Sequence, residues 1–188
     1  MEKDNVSKVI SFRRYDEGET IDITVTPIEE AVLSADRIFV IDSGYMFLQE
    51  GIEDVYAKEN SVVSLKTVNN IQSHYTQPRL TKEGELTEAG KQKALLAGEL
   101  LKTIRDRGIQ VVRITAETAA EVVTNPPAGR KLKMSRNEDN LIAVSSFLKH
   151  VRHHQVKILT NSQDLSRFAT DQDAFAHDLE RRGPNRKK

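Results

Sequence analysis

The sequence predicts an α/β domain: a twisted parallel sheet with helices on both faces, preceded by an amino-terminal β segment. Three observations carry this expectation. Short apolar runs rich in β-branched residues recur at positions 38–41, 61–65, 109–114 and 156–160. Their apolar residues adjoin one another, as they do in strands covered on both faces. Between them lie stretches whose apolar residues recur every three or four positions, the alternation expected of βαβ crossovers.

Taken in order, Val9-Ile10-Ser11-Phe12 and Ile21-Asp22-Ile23-Thr24-Val25 alternate apolar and polar, which predicts half-exposed strands, with Glu17-Gly18-Glu19 as the turn. Residues 1–36 are expected to be a β extension of the domain or an arm reaching a partner. Ile38-Phe39-Val40-Ile41 then runs straight into Asp42, Ser43 and Gly44. Tyr45, Leu48, Ile52 and Val55 predict a helix over 45–58, interrupted at Gly51. After the strand at 61–65, Thr67 is the expected cap of a helix carrying Val68, Ile71 and Tyr75. Pro78 and Gly84 mark a loop over 76–87. Thr87 opens the longest helix, to about residue 107, with Ala94, Leu95, Leu100, Leu101 and Ile104 as its apolar face and Gly108 as its stop.

A third strand at 109–114 leads to a short Ala-rich helix at 115–123 and the loop Asn125-Pro126-Pro127-Ala128-Gly129. Ser135 and Glu138 have the spacing of a capping box. They open a helix with Leu141, Val144, Leu148 and Val151 on one face. The strand at 156–160 and a helix from Asp164 complete a domain expected over 37–180, followed by a basic tail at 181–188.

The 188 residues suit one domain of ordinary size. Twenty-eight basic residues balance 28 acidic ones, so no global field draws the chain to nucleic acid or acidic lipid. Phosphate contacts would have to come from local clusters. Arg130, Lys131, Lys133 and Arg136 form one, and Arg181, Arg182, Arg186, Lys187 and Lys188 form the other. A solvated loop and a solubilising tail are the alternative reading of both. The absence of cysteine excludes disulfides and thiolate metal sites, and fits an intracellular, cytoplasmic or nuclear, protein. No apolar stretch approaches the ~20 residues of a membrane span and no signal peptide opens the chain, so no membrane partner is expected.

Candidate chemistry centres on Asp42. An Asp at the carboxyl end of a buried strand stands in the crevice where open α/β sheets bind ligands, unless it merely caps the next helix. Asn161 and Ser162 follow the last strand, and Asp139 falls in the first turn of its helix, where the positive helix end favours a carboxylate. Two carboxylates converging on one crevice would bind a hard cation such as Mg²⁺ or Mn²⁺. His150, His153 and His154 have helical spacing but no carboxylate or cysteine at ligand distance in sequence. Gly84, Gly90 and Gly98 follow no strand and make no phosphate loop. Tyr45 and Phe47 are candidates to stack on bases or to pack the core.

These segments resemble, in order, a PIN domain, the Mg²⁺- or Mn²⁺-dependent ribonuclease fold related to the flap endonucleases. Phe39-Val40-Ile41-Asp42-Ser43 is similar to the family's opening strand. Val62 through Ile71 resembles the second strand and helix start. Glu138-Asp139-Asn140-Leu141-Ile142-Ala143 resembles its Asp-rich helix start, and Ile158-Leu159-Thr160-Asn161-Ser162-Gln163-Asp164-Leu165 its late strand. The likeness covers about residues 37–170, in the style of the larger PIN domains. It implies Asp42 and Asp139 as catalytic and metal-binding residues. The chain departs from the family where a Glu and an Asp are usual, with Asn70 and Ser162 in their places, so two of the four expected acids are missing. Mg²⁺ or Mn²⁺ would then be weakly bound or absent, and metal-assisted phosphodiester cleavage would suffer. Glu50, Glu53, Asp54 and Asp164 are the possible replacements.

The resemblance implies an RNA-binding domain, or a partner-binding module in an RNA-processing or decay complex. Ser43, Thr160, Asn161, Arg130, Lys131, Lys133 and Arg136 would face the RNA. The alternatives are an active Mg²⁺/Mn²⁺-dependent endoribonuclease and a protein-interaction scaffold without nucleic acid.

Overall fold

The computed structural model describes residues 6–48, 60–124, 131–162 and 165. The strands are β1 (Lys8–Arg13), β2 (Thr20–Pro27), β3 (Arg37–Ile41), β4 (Ser61–Ser64), β5 (Gln110–Arg113) and β6 (Gln155–Leu159). The helices are α1 (Ser43–Leu48), α2 (Leu65–Thr76), α3 (Glu88–Asp106), α4 (Ala116–Val122) and α5 (Asn137–His150), with one 3-10 turn at Ile28–Glu30.

The strands form one sheet in the order β1-β2-β5-β4-β3-β6. Every neighbouring pair is parallel except the hairpin β1–β2. Alternation along each strand sends side chains to two separate cores. Ile41, Val63, Val111 and Leu159 pack with α1, α2 and α3 on one face. Ile38, Val40, Val62, Val112, Val156 and Ile158 pack with α4 and α5 on the other. This double covering is why the runs of β3, β4, β5 and β6 read as uninterrupted apolar stretches. On β2 Ile21, Ile23, Val25 and Pro27 are buried, while Thr20, Asp22 and Thr24 are exposed. The hairpin is covered on one face and alternates accordingly.

The amino-terminal segment belongs to this sheet and is not a detached arm. Residues 25–27 of β2 pair in parallel with residues 111–113 of β5. The turn between β1 and β2 uses a positive φ at Glu17, next to Gly18. Tyr75 of α2 anchors the hairpin twice: its hydroxyl donates to the Glu19 carbonyl at 2.8 Å, and its own carbonyl accepts the Tyr15 N–H at 3.1 Å.

Several local expectations shift in register. Ser64, not Thr67, caps α2, and accepts the Thr67 N–H at 3.0 Å. Thr87 caps α3 as expected, through the Gly90 N–H, and Thr115 caps α4 through the Thr118 N–H. Leu95 is 61 % exposed, because the buried stripe of α3 runs through Gly90, Ala94, Ala97, Gly98, Leu101 and Ile104. Leu95 lies ~100° round the helix from Ala94. The Ser135–Glu138 capping box does not form: α5 starts at Asn137, with Arg136 at the cap position and no side-chain cap bond. Val151 lies past the end of α5 and is 49 % exposed. The expected helix at 45–58 is described only as α1, and the segments 49–59, 125–130 and 166–188 lie outside the described residues.

Candidate functional site

The parallel strands β5, β4, β3 and β6 are added outward from β3 in both directions. The chain leaves β3 for β4 and β5 on one side, then returns to place β6 on the other. The carboxyl ends of β3 and β6 therefore flank the switch point, where crossovers diverge and leave a crevice. Asp42 follows β3 there and Thr160 follows β6.

Asp42 is buried, at 4 % exposure, and its carboxylate collects three side-chain donors. Asn137 Nδ2 donates to Oδ1 at 2.6 Å, Thr160 Oγ1 donates to Oδ2 at 2.9 Å, and Ser43 Oγ lies 3.3 Å from Oδ1. The network continues outward. Asn137 Oδ1 faces Thr67 Oγ1 at 3.5 Å, and Thr67 Oγ1 accepts from Ser64 Oγ at 3.1 Å. Thr160 Oγ1 also accepts the Ser162 N–H at 3.0 Å, and Ser162 Oγ accepts the Leu165 N–H at 3.3 Å. A line of donors thus runs from β4 through the first turns of α2 and α5 to Asp42. A second line reaches it from the loop after β6. A carboxylate offers about four lone-pair sites, and three are engaged here.

Asp139 has a different setting. It is fully buried, and its Oδ2 accepts the Lys133 N–H at 2.8 Å, bracing the segment that leads into α5. Asp42 is bonded instead to Asn137, two residues earlier. Asn70 is half-buried on α2; its neighbour one turn back, Thr67, is the residue that reaches toward Asn137. Ser162 serves the backbone of the following segment. Among the described residues no group of three or more His, Cys, Asp or Glu stands together as a cation cage. The donor set around Asp42 is a carboxylate with neutral amide and hydroxyl groups. Its oxygens are already engaged by donors, which does not fit a hard divalent cation needing several anionic oxygens. Glu50, Glu53, Asp54 and Asp164 lie outside the described residues.

Basic residues adjoin the network in sequence, with Glu138 beside them in the first turn of α5. Lys131, Lys133 and Arg136 are exposed in the segment entering α5, and Lys66 stands half-exposed in the first turn of α2. The amino ends of both helices point to this edge, and their partial positive charge adds to that of the side chains. Arg130 and the basic tail lie outside the described residues. Sequence reasoning missed Asn137 and Lys66, and read Thr67 only as a helix cap. The signal for Asn137 was a helix start one residue later than the Ser135 spacing implied.

Other candidates resolve into structural parts. Phe47 meets the His74 ring edge-on at 5.4 Å between centroids, with Lys93 Nζ 5.1 Å from its ring centre. His150 and His153 are exposed and His154 half-buried at the turn into β6. A depression of about 230 Å³ lies at the other end of the sheet, where Asp22 and Arg105 mix with Ile23, Ile104 and Ile109. Thr24, Thr26 and Gln110 also line it, and Asp22 is already bonded to Ser11. No helix among the described residues is long and apolar enough to cross a membrane. No protein-family model matches the chain, and no curated protein matches it.

Proposed function

We propose that this chain is a PIN-like single-stranded RNA-binding domain. In this reading the acidic centre is a structural hub, and binding rather than cleavage is its task. The observation that carries it is the pairing of Asp42 with Asn137 and Thr160, with Lys66 and Arg136 next in sequence to the Thr67 and Asn137 of that network. With its own charge buried and hydrogen-bonded, Asp42 repels phosphate less than an open acid cluster would. Lys66, Lys131, Lys133 and Arg136 are left to meet the backbone of an RNA strand. An endoribonuclease would need those same carboxylate oxygens for metal ions that activate water and steady the leaving oxygen. Here they are committed to protein donors.

The test is the salt dependence of RNA binding. For single strands the slope of log affinity against log salt is about −0.7 per neutralised phosphate. Four basic side chains then predict a slope near −2.8, or roughly a 50-fold loss of affinity between about 50 and 200 mM salt. Lys133→Ala and Arg136→Ala should each flatten the slope by about 0.7. A flat response, or no binding at low salt, refutes the reading in favour of a protein-interaction scaffold. Mn²⁺-dependent cleavage that vanishes in Asp42→Asn refutes it in favour of the enzyme.

A further inference from the structure

The loop after β6 fixes an exposed side chain in a defined place. Thr160 Oγ1 bonds both Asp42 Oδ2 and the Ser162 N–H, so the backbone on either side of Asn161 is tied to the buried carboxylate. Asn161 is itself exposed. Yet its carboxamide lies across Gly44, in the space that a Cβ there would fill. Such a Cβ would overlap Asn161 Oδ1 and stand 3.0 and 3.1 Å from its Cγ and Nδ2. The absence of a side chain at position 44 is what lets this amide settle at the mouth of the crevice.

We propose that Asn161 is the base-reading residue of the site, pairing with the edge of an unpaired adenine in single-stranded RNA. This rests on the RNA-binding reading above and deepens it. Lysine and arginine contacts to phosphate position a strand without regard to sequence. A carboxamide carries a donor and an acceptor side by side, and adenine presents the complement: its N6 amine donates to Oδ1, and its N7 accepts from Nδ2. Among the residues at the crevice mouth, Asn161 combines that chemistry with exposure and a fixed seat.

The experiment measures fluorescence anisotropy of labelled oligo(A), oligo(C) and oligo(U) of roughly twelve nucleotides with the full chain at low salt. The wild type is expected to favour oligo(A) by about tenfold, the order of one bidentate amide–adenine pair. Asn161→Ala should bring the three oligonucleotides within about twofold of one another, by weakening oligo(A) alone. Gly44→Ala should do the same from the other side of the contact. Its new Cβ meets the far end of a flexible side chain, so the fold is retained, which melting checks. Lys133→Ala should weaken all three alike. Binding without an oligo(A) preference, a preference that survives both crevice variants, or an equal loss for all three oligonucleotides in Asn161→Ala overturns the base-reading role and leaves the binding function standing. No binding to any oligonucleotide overturns both.

Discussion

Truncating Asp42 gives the most direct test of how the crevice is held together. Asp42→Ala deletes an acceptor that Asn137 Nδ2 reaches at 2.6 Å and Thr160 Oγ1 at 2.9 Å, at a position 4 % exposed. A buried donor left without a partner costs about 1–3 kcal/mol, and hydrogen bonds to a charged group contribute about 1.5–3 kcal/mol each. Allowing for relaxation, the expected loss is about 3–5 kcal/mol. Each kcal/mol shifts the midpoint of a domain this size by about 2–4 °C, so Tm should fall by roughly 6–20 °C. Asp42→Asn keeps the shape but puts an amide NH2, a donor, where one carboxylate oxygen accepted, so one bond becomes neutral and the other is lost, for about 2–3 kcal/mol. Thermal and urea melts of the three proteins supply the comparison. An Asp42→Ala protein that melts within about 2 °C of wild type, or above it, would refute the reasoning. The carboxylate would then be a desolvated charge whose removal relieves the fold.

Three further outcomes are expected. Gly98→Ala should destabilise by about 1–2 kcal/mol despite alanine's helix propensity. Its Cβ would lie 2.9 Å from a Tyr75 ring held in place at its hydroxyl, and a rise in Tm would show that the ring yields. Ser145→Ala should leave stability unchanged or raise it by about 1 kcal/mol, since the buried Ser145 hydroxyl has no hydrogen-bond partner among the described residues; a clear loss in a urea melt would mean that it has one. Burial, and then the charge of Lys93, holds the His74 imidazole below its ordinary value of 6.5. The unfolded chain therefore takes up its proton first, and the folded state loses stability as pH falls through 6.5 toward the lower folded value. His74→Gln should flatten that part of a Tm-against-pH profile, and an unchanged profile would assign the dependence elsewhere.

The sheet was legible because strands covered on both faces cannot hide their apolar runs, and all four such runs lie where composition put them. The amino-terminal hairpin was legible as strands but not as part of the sheet. Local alternation reports that one face is buried, and nothing in residues 20–27 encodes the pairing with residues 111–113. Leu95 shows the same limit on a helix. Its neighbours are apolar, and only the rotation of α3 against α2 determines which of them turns inward.

At the site, sequence determined that a carboxylate follows β3 and that basic residues precede α5, the last described helix. Tertiary structure decided what that carboxylate touches. Asp139 and Asn137 are two residues apart in one first turn, about 200° apart in direction. A two-residue shift in the register of α5, about 200° of rotation, would therefore exchange an acid for an amide at the centre of the crevice. Sequence spacing cannot resolve such a shift, because helix starts are set by competing caps of similar strength. Here packing of α5 between the sheet and its neighbours made the choice, turning Asn137 toward Asp42 and Asp139 toward the Lys133 backbone.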